Sequence, residues 1–105
     1  METVDGFRYR LLKQFPVEER YGICDQIRRA AVSIPSNIAE GFGRDTHKDF
    51  AHFLAQARGS LYEVDTQVEI AIRRGFVEKD QKMFDLMNEI SKMLASLSRR
   101  LRSSH

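Results

Sequence analysis

The stretch FAHFLAQARGSLYEVDTQVEIA, residues 50–71, decides the fold. Its apolar side chains recur at alternating steps of four and three, at Phe50, Leu54, Ala57, Leu61, Val64, Val68 and Ala71. This is the heptad spacing of α-helices that pack against one another at a shallow angle. A strand would instead place apolar residues at every second position, a pattern that does not occur along the sequence. The sequence therefore predicts an all-α protein.

The residues around this stretch carry the signals at which a helix begins and ends. Asp45 or Thr46 can cap its N-terminus, and Thr46 followed three residues later by Asp49 resembles a capping box. Gly75 suits the left-handed position that follows many helix C-termini. These signals predict one long helix that ends just before Gly75.

Gly59 stands in the interior of this predicted helix. A glycine there costs about 1 kcal/mol relative to alanine, because its backbone loses more freedom on folding. We interpret this glycine as a point at which a neighbouring helix approaches closely. The small residues Ala30 and Ala31 are predicted to face it.

Two further helices are predicted before this one. The first is short and ends at Phe15, because Pro16 disfavours helical geometry in the residue before it. The second begins at Pro16, whose missing N–H costs nothing in a first turn. Its apolar stripe continues through Pro35 to Gly41 and Gly43, which predicts one kinked helix and not two. The stripes are Phe7, Leu11, Leu12 and Phe15 in the first helix, and Ile23, Ile27, Ala30, Ala31, Ile34 and Ile38 in the second.

A last helix completes the set. Its apolar residues are Met83, Leu86, Met87, Ile90, Met93, Leu94, Leu97 and Leu101. Short connections between amphipathic helices favour antiparallel neighbours. The sequence therefore predicts an antiparallel up-down-up-down four-helix bundle, with a short first helix and a Pro-kinked second helix.

Length and composition indicate a single domain, residues 1–105. The 105 residues, 42% of them hydrophobic, supply one core. No stretch approaches the roughly 18 apolar residues of a membrane span, and the first residues lack the pattern of a signal peptide. We therefore expect a cytoplasmic protein that does not bind membranes. Cys24, the only cysteine, is predicted to pack in the core.

Catalytic and metal-binding side chains form no recognisable set. A di-iron bundle needs two Glu-x-x-His pairs, whereas only Asp49 and His52 have a comparable spacing, which is typical of a solvated helix surface. The pattern places no histidine beside a serine nucleophile. One alternative stays open, in which Glu40, Arg58 and Glu63 form a buried site; we interpret them as a structural polar cluster. The sequence therefore predicts no metal, no cofactor and no enzymatic activity.

Basic residues become informative once local ion pairs are set aside. Two acid-base pairs are assigned at a spacing of four, Asp25 with Arg29 and Glu69 with Arg73. Arg28 and Arg58 are then predicted to lack an acidic partner on their own helices. Beyond Glu89 the last helix carries only positive charges, at Lys92, Arg99, Arg100 and Arg102. That end of the helix is a positive patch, although the net charge of the chain is only +2.

This patch allows two interpretations. Cations complement the negative C-terminal end of a helix, each contributing about 0.3 to 1 kcal/mol. Alternatively, together with Arg8, Arg10 and Lys13, they form a face that meets the phosphates of RNA or DNA. Tyr9 and Phe42 are the aromatic candidates for stacking on bases, too few to predict sequence-specific recognition.

Three apolar residues fall where a monomer should be polar. Val32 lies opposite the stripe of the second helix, Ile70 lies off the seam of the third, and Phe42 is predicted in a loop. Scattered apolar residues are normal on a surface, but these three favour a subunit interface. The sequence therefore predicts self-association.

The run QIRRAAVSIPSNIAEG, residues 26–41, resembles the signature of a bacterial four-helix-bundle family. The family is named for open reading frames in intervening sequences of large-subunit ribosomal RNA genes. The run ARGSL, residues 57–61, with Glu63 and Gln67 is similar to its second block, and residues 12–16 and 19–22 to its N-terminal segment. The positions that match family motifs are Arg28, Arg29, Pro35, Asn37, Glu40, Gly41, Arg58, Gly59 and Glu63.

The resemblance implies a non-enzymatic four-helix bundle that assembles into a ring, a homopentamer. It also implies a likeness to the accessory protein of diversity-generating retroelements, which binds a reverse transcriptase and nucleic acid. We therefore expect a homo-oligomeric scaffold or accessory protein that contacts RNA, DNA or a nucleic-acid-processing partner through Arg28, Arg58 and the basic end of the last helix. The alternative is a protein-protein interaction module that does not bind nucleic acid.

Overall fold

The computed structural model of the protein describes residues 17–19 and 22–103. Within these residues a 3-10 turn, Val17–Glu19, precedes three α-helices: α1 is Ile23–Phe42, α2 is His47–Arg73 and α3 is Gln81–Ser103. The described ranges contain no strand, so the all-α prediction is confirmed. The predicted first helix, which ends at Phe15, lies outside the described residues.

The first described helix begins later than the sequence predicts. It starts at Ile23 and not at Pro16, and the turn at Val17–Glu19 is separate from it. The sequence analysis missed Gly22, which stands directly before the helix. Glycine is unfavourable inside a helix, so it favours a helix boundary at this position.

Helix α1 then continues through Pro35 to Phe42, so the prediction of one helix and not two is confirmed. Pro35 removes one backbone N–H and crowds the preceding turn. Two side chains that follow it donate to carbonyls of that turn: Ser36 Oγ lies 2.9 Å from the Val32 oxygen, and Asn37 Nδ2 lies 2.8 Å from the Ser33 oxygen. Proline removes the N–H partner of the Ala31 carbonyl, and these two bonds go to the next two carbonyls along the helix.

Both predicted caps of α2 are confirmed. Thr46 Oγ1 accepts a hydrogen bond from the Asp49 N–H at 3.1 Å. At the other end Gly75 has a φ of 76°, and the Phe76 N–H donates to the Ala71 oxygen at 2.9 Å. This is the bonding of an α-helix that is followed by one residue with left-handed backbone angles. Glycine adopts these angles without a Cβ clash.

Neighbouring helices run antiparallel. Gly41 of α1 lies against Phe50 of α2, and Ser33 bonds Ser60, so residues further back in α1 meet residues further along α2. The α2 helix is about 40 Å long. The seven residues between α2 and α3 span at most about 25 Å, too short to return to its start.

The core follows the predicted stripes. Cys24 is buried, as predicted, and the other buried apolar residues are Ile27, Ala30, Ile34, Leu54, Ala57, Leu61, Val64, Val68, Ala71, Val77, Met83, Leu94 and Leu101. Helix α2 packs against both neighbours, while α1 and α3 barely touch each other. A groove therefore remains between α1 and α3.

Candidate functional site

The strongest positive feature is the basic end of α3, which we define as Lys92, Arg99, Arg100 and Arg102. All four residues are exposed, and no acidic residue follows Glu89 in the described part of the helix. Ser96 and the three arginines line a shallow depression on the surface. The arrangement can hold an anion that spreads over several side chains, as a phosphate backbone does.

Arg28 is not the unpaired cation that the sequence predicts. Its Nε donates to Asp25 Oδ1 at 3.2 Å, while Arg29 Nε lies 3.0 Å from Asp25 Oδ2. The hydrogen bond from Arg28 lowers the pKa of Asp25, and the same bond raises the pKa of Arg28. The prediction was wrong because residues three apart also meet on a helix, so one carboxylate serves both arginines.

Arg58 lies on α2, whereas Arg28 lies on α1. It is half-buried on α2 and makes no ion pair with a described residue. The antiparallel course of α2 and α3 puts it at about the level of Ser96, near the basic end of α3. Arg28 lines the groove on α1.

The open alternative of a buried catalytic site receives no support from its three residues. Glu40 is exposed and pairs with Arg44 at 3.1 Å, Glu63 is exposed, and Arg58 is only half-buried. No charged side chain is buried among the described residues. The interpretation of these three as a structural polar cluster is therefore wrong.

A different polar cluster joins α1 to α2. Ser33 Oγ lies 2.8 Å from Ser60 Oγ, and Asn37 Nδ2 donates to Ser33 Oγ at 2.9 Å. The sequence analysis missed Ser60 as a structural residue, because its partner lies 27 positions away on another helix. These bonds fix how the two helices sit against each other.

The groove between α1 and α3 is apolar and has a volume of about 440 Å³. Leu61, Val64 and Val68 of α2 contribute to its lining. On α1 it is lined by Cys24, Ile27, Arg28, Ala31, Ile34, Pro35, Ile38 and Phe42, and on α3 by Met83, Leu86, Met87, Ile90, Met93, Leu94 and Leu97. At its edges Phe42 and Met93 are 67% and 64% exposed, which is unusual for such large apolar side chains in water.

The predicted interface residues are all exposed. Val32 and Ile70 lie on α1 and α2, and Phe42 is the last residue of α1, not a loop residue as predicted. The Phe42 ring packs at a tilt on Phe50, with 4.9 Å between ring centroids. Tyr62 was missed, although its place directly after Leu61 of the core stripe indicates the exposed side.

The interpretation of Gly59 was also wrong. Gly59 is exposed, and a Cβ built on it would meet nothing within 4 Å. Ala30 is buried in the core and Ala31 lines the groove, so neither faces it. Close approach between helices occurs instead at Gly41.

Metal-binding and membrane-spanning features were sought over the same residues. His, Cys, Asp and Glu side chains of the described ranges nowhere gather in threes or more, as a metal site requires. None of α1, α2 and α3 combines the length and the apolar character needed to cross a bilayer.

One comparison with known proteins identifies a family. A protein-family model described as 23S rRNA-intervening sequence protein matches residues 7–96. The match covers all of α1 and α2 and α3 as far as Ser96. A search of curated proteins returned no match.

Proposed function

Because the chain belongs to the 23S rRNA-intervening sequence protein family, as its motifs predicted, we propose that it is a non-catalytic, homo-oligomeric scaffold or accessory protein. It binds nucleic acid, RNA foremost, or a partner that processes nucleic acid, and it acts in the cytoplasm. The observation that carries the proposal is the basic end of α3. Exposed cations attract phosphates in a salt-dependent way.

Helix-dipole complementation accounts for only part of this patch. The dipole effect falls off within the last turn, where Arg100 and Arg102 lie. Lys92 stands well before that turn, and Arg58 belongs to another helix. A phosphate-binding surface accounts for all of them, so it is the interpretation we favour.

We also propose that residues 7–15 form the fourth helix of an antiparallel up-down-up-down bundle, with a kink at Pro35 in the helix that follows. The groove between α1 and α3 supports this arrangement, because its apolar lining gains free energy when other apolar side chains cover it. Phe7, Leu11 and Phe15 recur at the spacing of one helix face. The completed bundles then assemble into a homopentamer, and Val32, Phe42 and Ile70 are candidate contacts.

An RNA-binding titration tests the proposed function. Changing Arg99, Arg100 and Arg102 together to glutamine is expected to weaken binding to an unselected RNA and to lower the salt slope by about 2. Changing Arg74, Lys79 and Lys82 to glutamine removes the same charge around the start of α3, far from its basic end, and is expected to preserve binding. Equal losses in the two variants would refute a role for the basic end of α3.

A protein-protein interaction module is the second candidate, favoured by the exposed Phe42 and Met93 at the groove. Affinity capture from a lysate treated with nuclease separates the candidates. A partner that contacts the protein directly is still captured after the treatment, whereas a partner bridged by RNA is lost.

A further inference from the structure

Tyr62 stands on the same side of α2 as Arg58. The two residues are four apart, so their side chains lie one turn apart on one side of the helix. Ser60, midway between them, bonds Ser33 of α1. Residues two apart on an α-helix point about 200° apart, so Arg58 and Tyr62 point away from α1. The other neighbour of α2 is α3, and this side therefore continues onto the surface of α3.

The adjoining side of α3 carries exposed cations at steps of three or four. They are Lys92, Arg99 and Arg102, and Ala95 lies between them. Met93 lines the groove, and Ala95 is two residues further, so the cations face away from the groove. The antiparallel course of α2 and α3 puts Ala95 at about the level of Arg58. We define the basic flank as Arg58, Tyr62, Lys92, Arg99 and Arg102.

The basic flank carries charges of one sign. No acidic residue occurs in residues 51–62 of α2 or in residues 91–103 of α3, two segments that lie at the same level in the antiparallel pair. Arg58 makes no ion pair with a described residue, so its charge is not neutralised locally. Such a row of cations attracts the phosphates of a nucleic acid.

The acidic residues that follow limit this surface. Glu63 is three residues after Ser60 and therefore lies on the side of α2 toward α1. Asp65 is exposed three residues after Tyr62, on the side toward α3. A strand of phosphates therefore meets cations from Arg102 as far as Tyr62 and a carboxylate beyond it. The ring of Tyr62 stands at the end of the basic stretch.

Tyr62 adds an aromatic ring to these cations. It is 58% exposed, whereas the Phe42 ring, a stacking candidate from the sequence, packs on Phe50 and lines the groove. Proteins that bind single strands combine a positively charged surface with exposed rings on which bases stack. The bases of a duplex are already stacked on one another, so a ring on the protein surface favours unpaired bases.

We infer that the basic flank binds single-stranded nucleic acid, with phosphates on its arginines and lysine and one base stacked on Tyr62. The inference rests on the nucleic-acid binding proposed above and names the class of strand that the site takes.

Tyr62→Trp tests the stacking directly, because the chain contains no tryptophan of its own. Oligouridylate, an RNA without stable pairing, should quench the indole fluorescence of this variant as a base stacks on the ring. An RNA duplex of the same length should leave the fluorescence nearly unchanged at saturation. Ile70→Trp places the same reporter about two turns further along α2, beyond Asp65, and should respond to neither RNA.

Affinity measurements provide the second test. Tyr62→Ala should weaken the binding of oligouridylate about fivefold or more, and Tyr62→Phe should preserve it, because phenylalanine retains the ring. Neither change removes a charge, so the salt slope should stay at the parent value, whereas Arg99→Gln with Arg102→Gln should lower it. Circular dichroism should show the helices retained, since Tyr62 is exposed.

The outcomes separate this inference from the proposed function. Parent affinity in Tyr62→Ala, together with a lowered salt slope in the arginine variant, would overturn the stacking and leave the proposed function intact. Equal quenching of Tyr62→Trp by the duplex would overturn the preference for single strands. Absence of RNA binding by the parent would overturn both.

Discussion

Gly41 lies against the ring of Phe50 where α1 meets the start of α2. A Cβ built on Gly41 would stand 2.7 Å from Phe50 Cδ1 and 3.2 Å from Phe53 Cβ. Carbon atoms in ordinary contact are about 3.5 to 4.0 Å apart. The two helices therefore meet at this distance because residue 41 carries no side chain.

We expect Gly41→Ala to lower the free energy of unfolding by about 1 to 3 kcal/mol, since the added methyl group overpacks this contact. Urea denaturation measures the change. Gly43→Ala is the matched control, because its nearest contact would be 3.5 Å away, and it should change stability by less than about 0.5 kcal/mol. Similar losses in both variants would show that the contact with Phe50 does not set the cost.

The hydroxyl pair between α1 and α2 makes a second prediction. Ser33→Ala and Ser60→Ala should each cost about 1 kcal/mol, because each change removes a half-buried hydrogen bond. Their double-mutant cycle should give a coupling of about 0.5 kcal/mol or more. Ser36→Ala removes a hydroxyl that bonds only within α1, so combined with Ser60→Ala it should be additive. Additivity of Ser33→Ala with Ser60→Ala would contradict a stabilising pair.

The fourth helix of the proposed bundle can be tested through Cys24, the only cysteine, which lines the groove. A helix over residues 7–15 that folds back along α1 brings its end close to the start of α1. Phe15→Cys should therefore form a disulfide with Cys24 within one chain, since such bonds require Cα atoms about 4.4 to 6.8 Å apart. A non-reducing gel and peptide mass spectrometry would detect it.

Lys13→Cys is the control for this crosslink, because position 13 falls on the opposite side of the predicted helix. It should remain reduced under the same oxidation. A disulfide that formed only between two chains, or equally well from either position, would argue against a helix seated in the groove of its own chain.

Much of the fold could be predicted because its signals are local or periodic. The stripe from Leu54 to Ala71 depends only on spacing, and it is buried as expected. The end of α2 at Gly75 is likewise set by the backbone preference of one residue. Such features need no knowledge of what lies opposite.

The errors arose where a competing partner decides the outcome. Asp25 has two arginines within reach, and the spacing alone does not show that it bonds both. The cost of Gly59 suggests a close neighbour, but no described helix of the chain approaches it. The start of α1 was placed too early because the favourable signal of Pro16 outweighed the adverse signal of Gly22.

The position of α2 between α1 and α3 also determines which helices can unfold locally on their own. Because α1 and α3 barely touch, either one can detach while the other stays on α2. Helix α2 cannot leave without releasing both. Among the three described helices, disorder that begins in α1 therefore reaches α3 only by loosening α2.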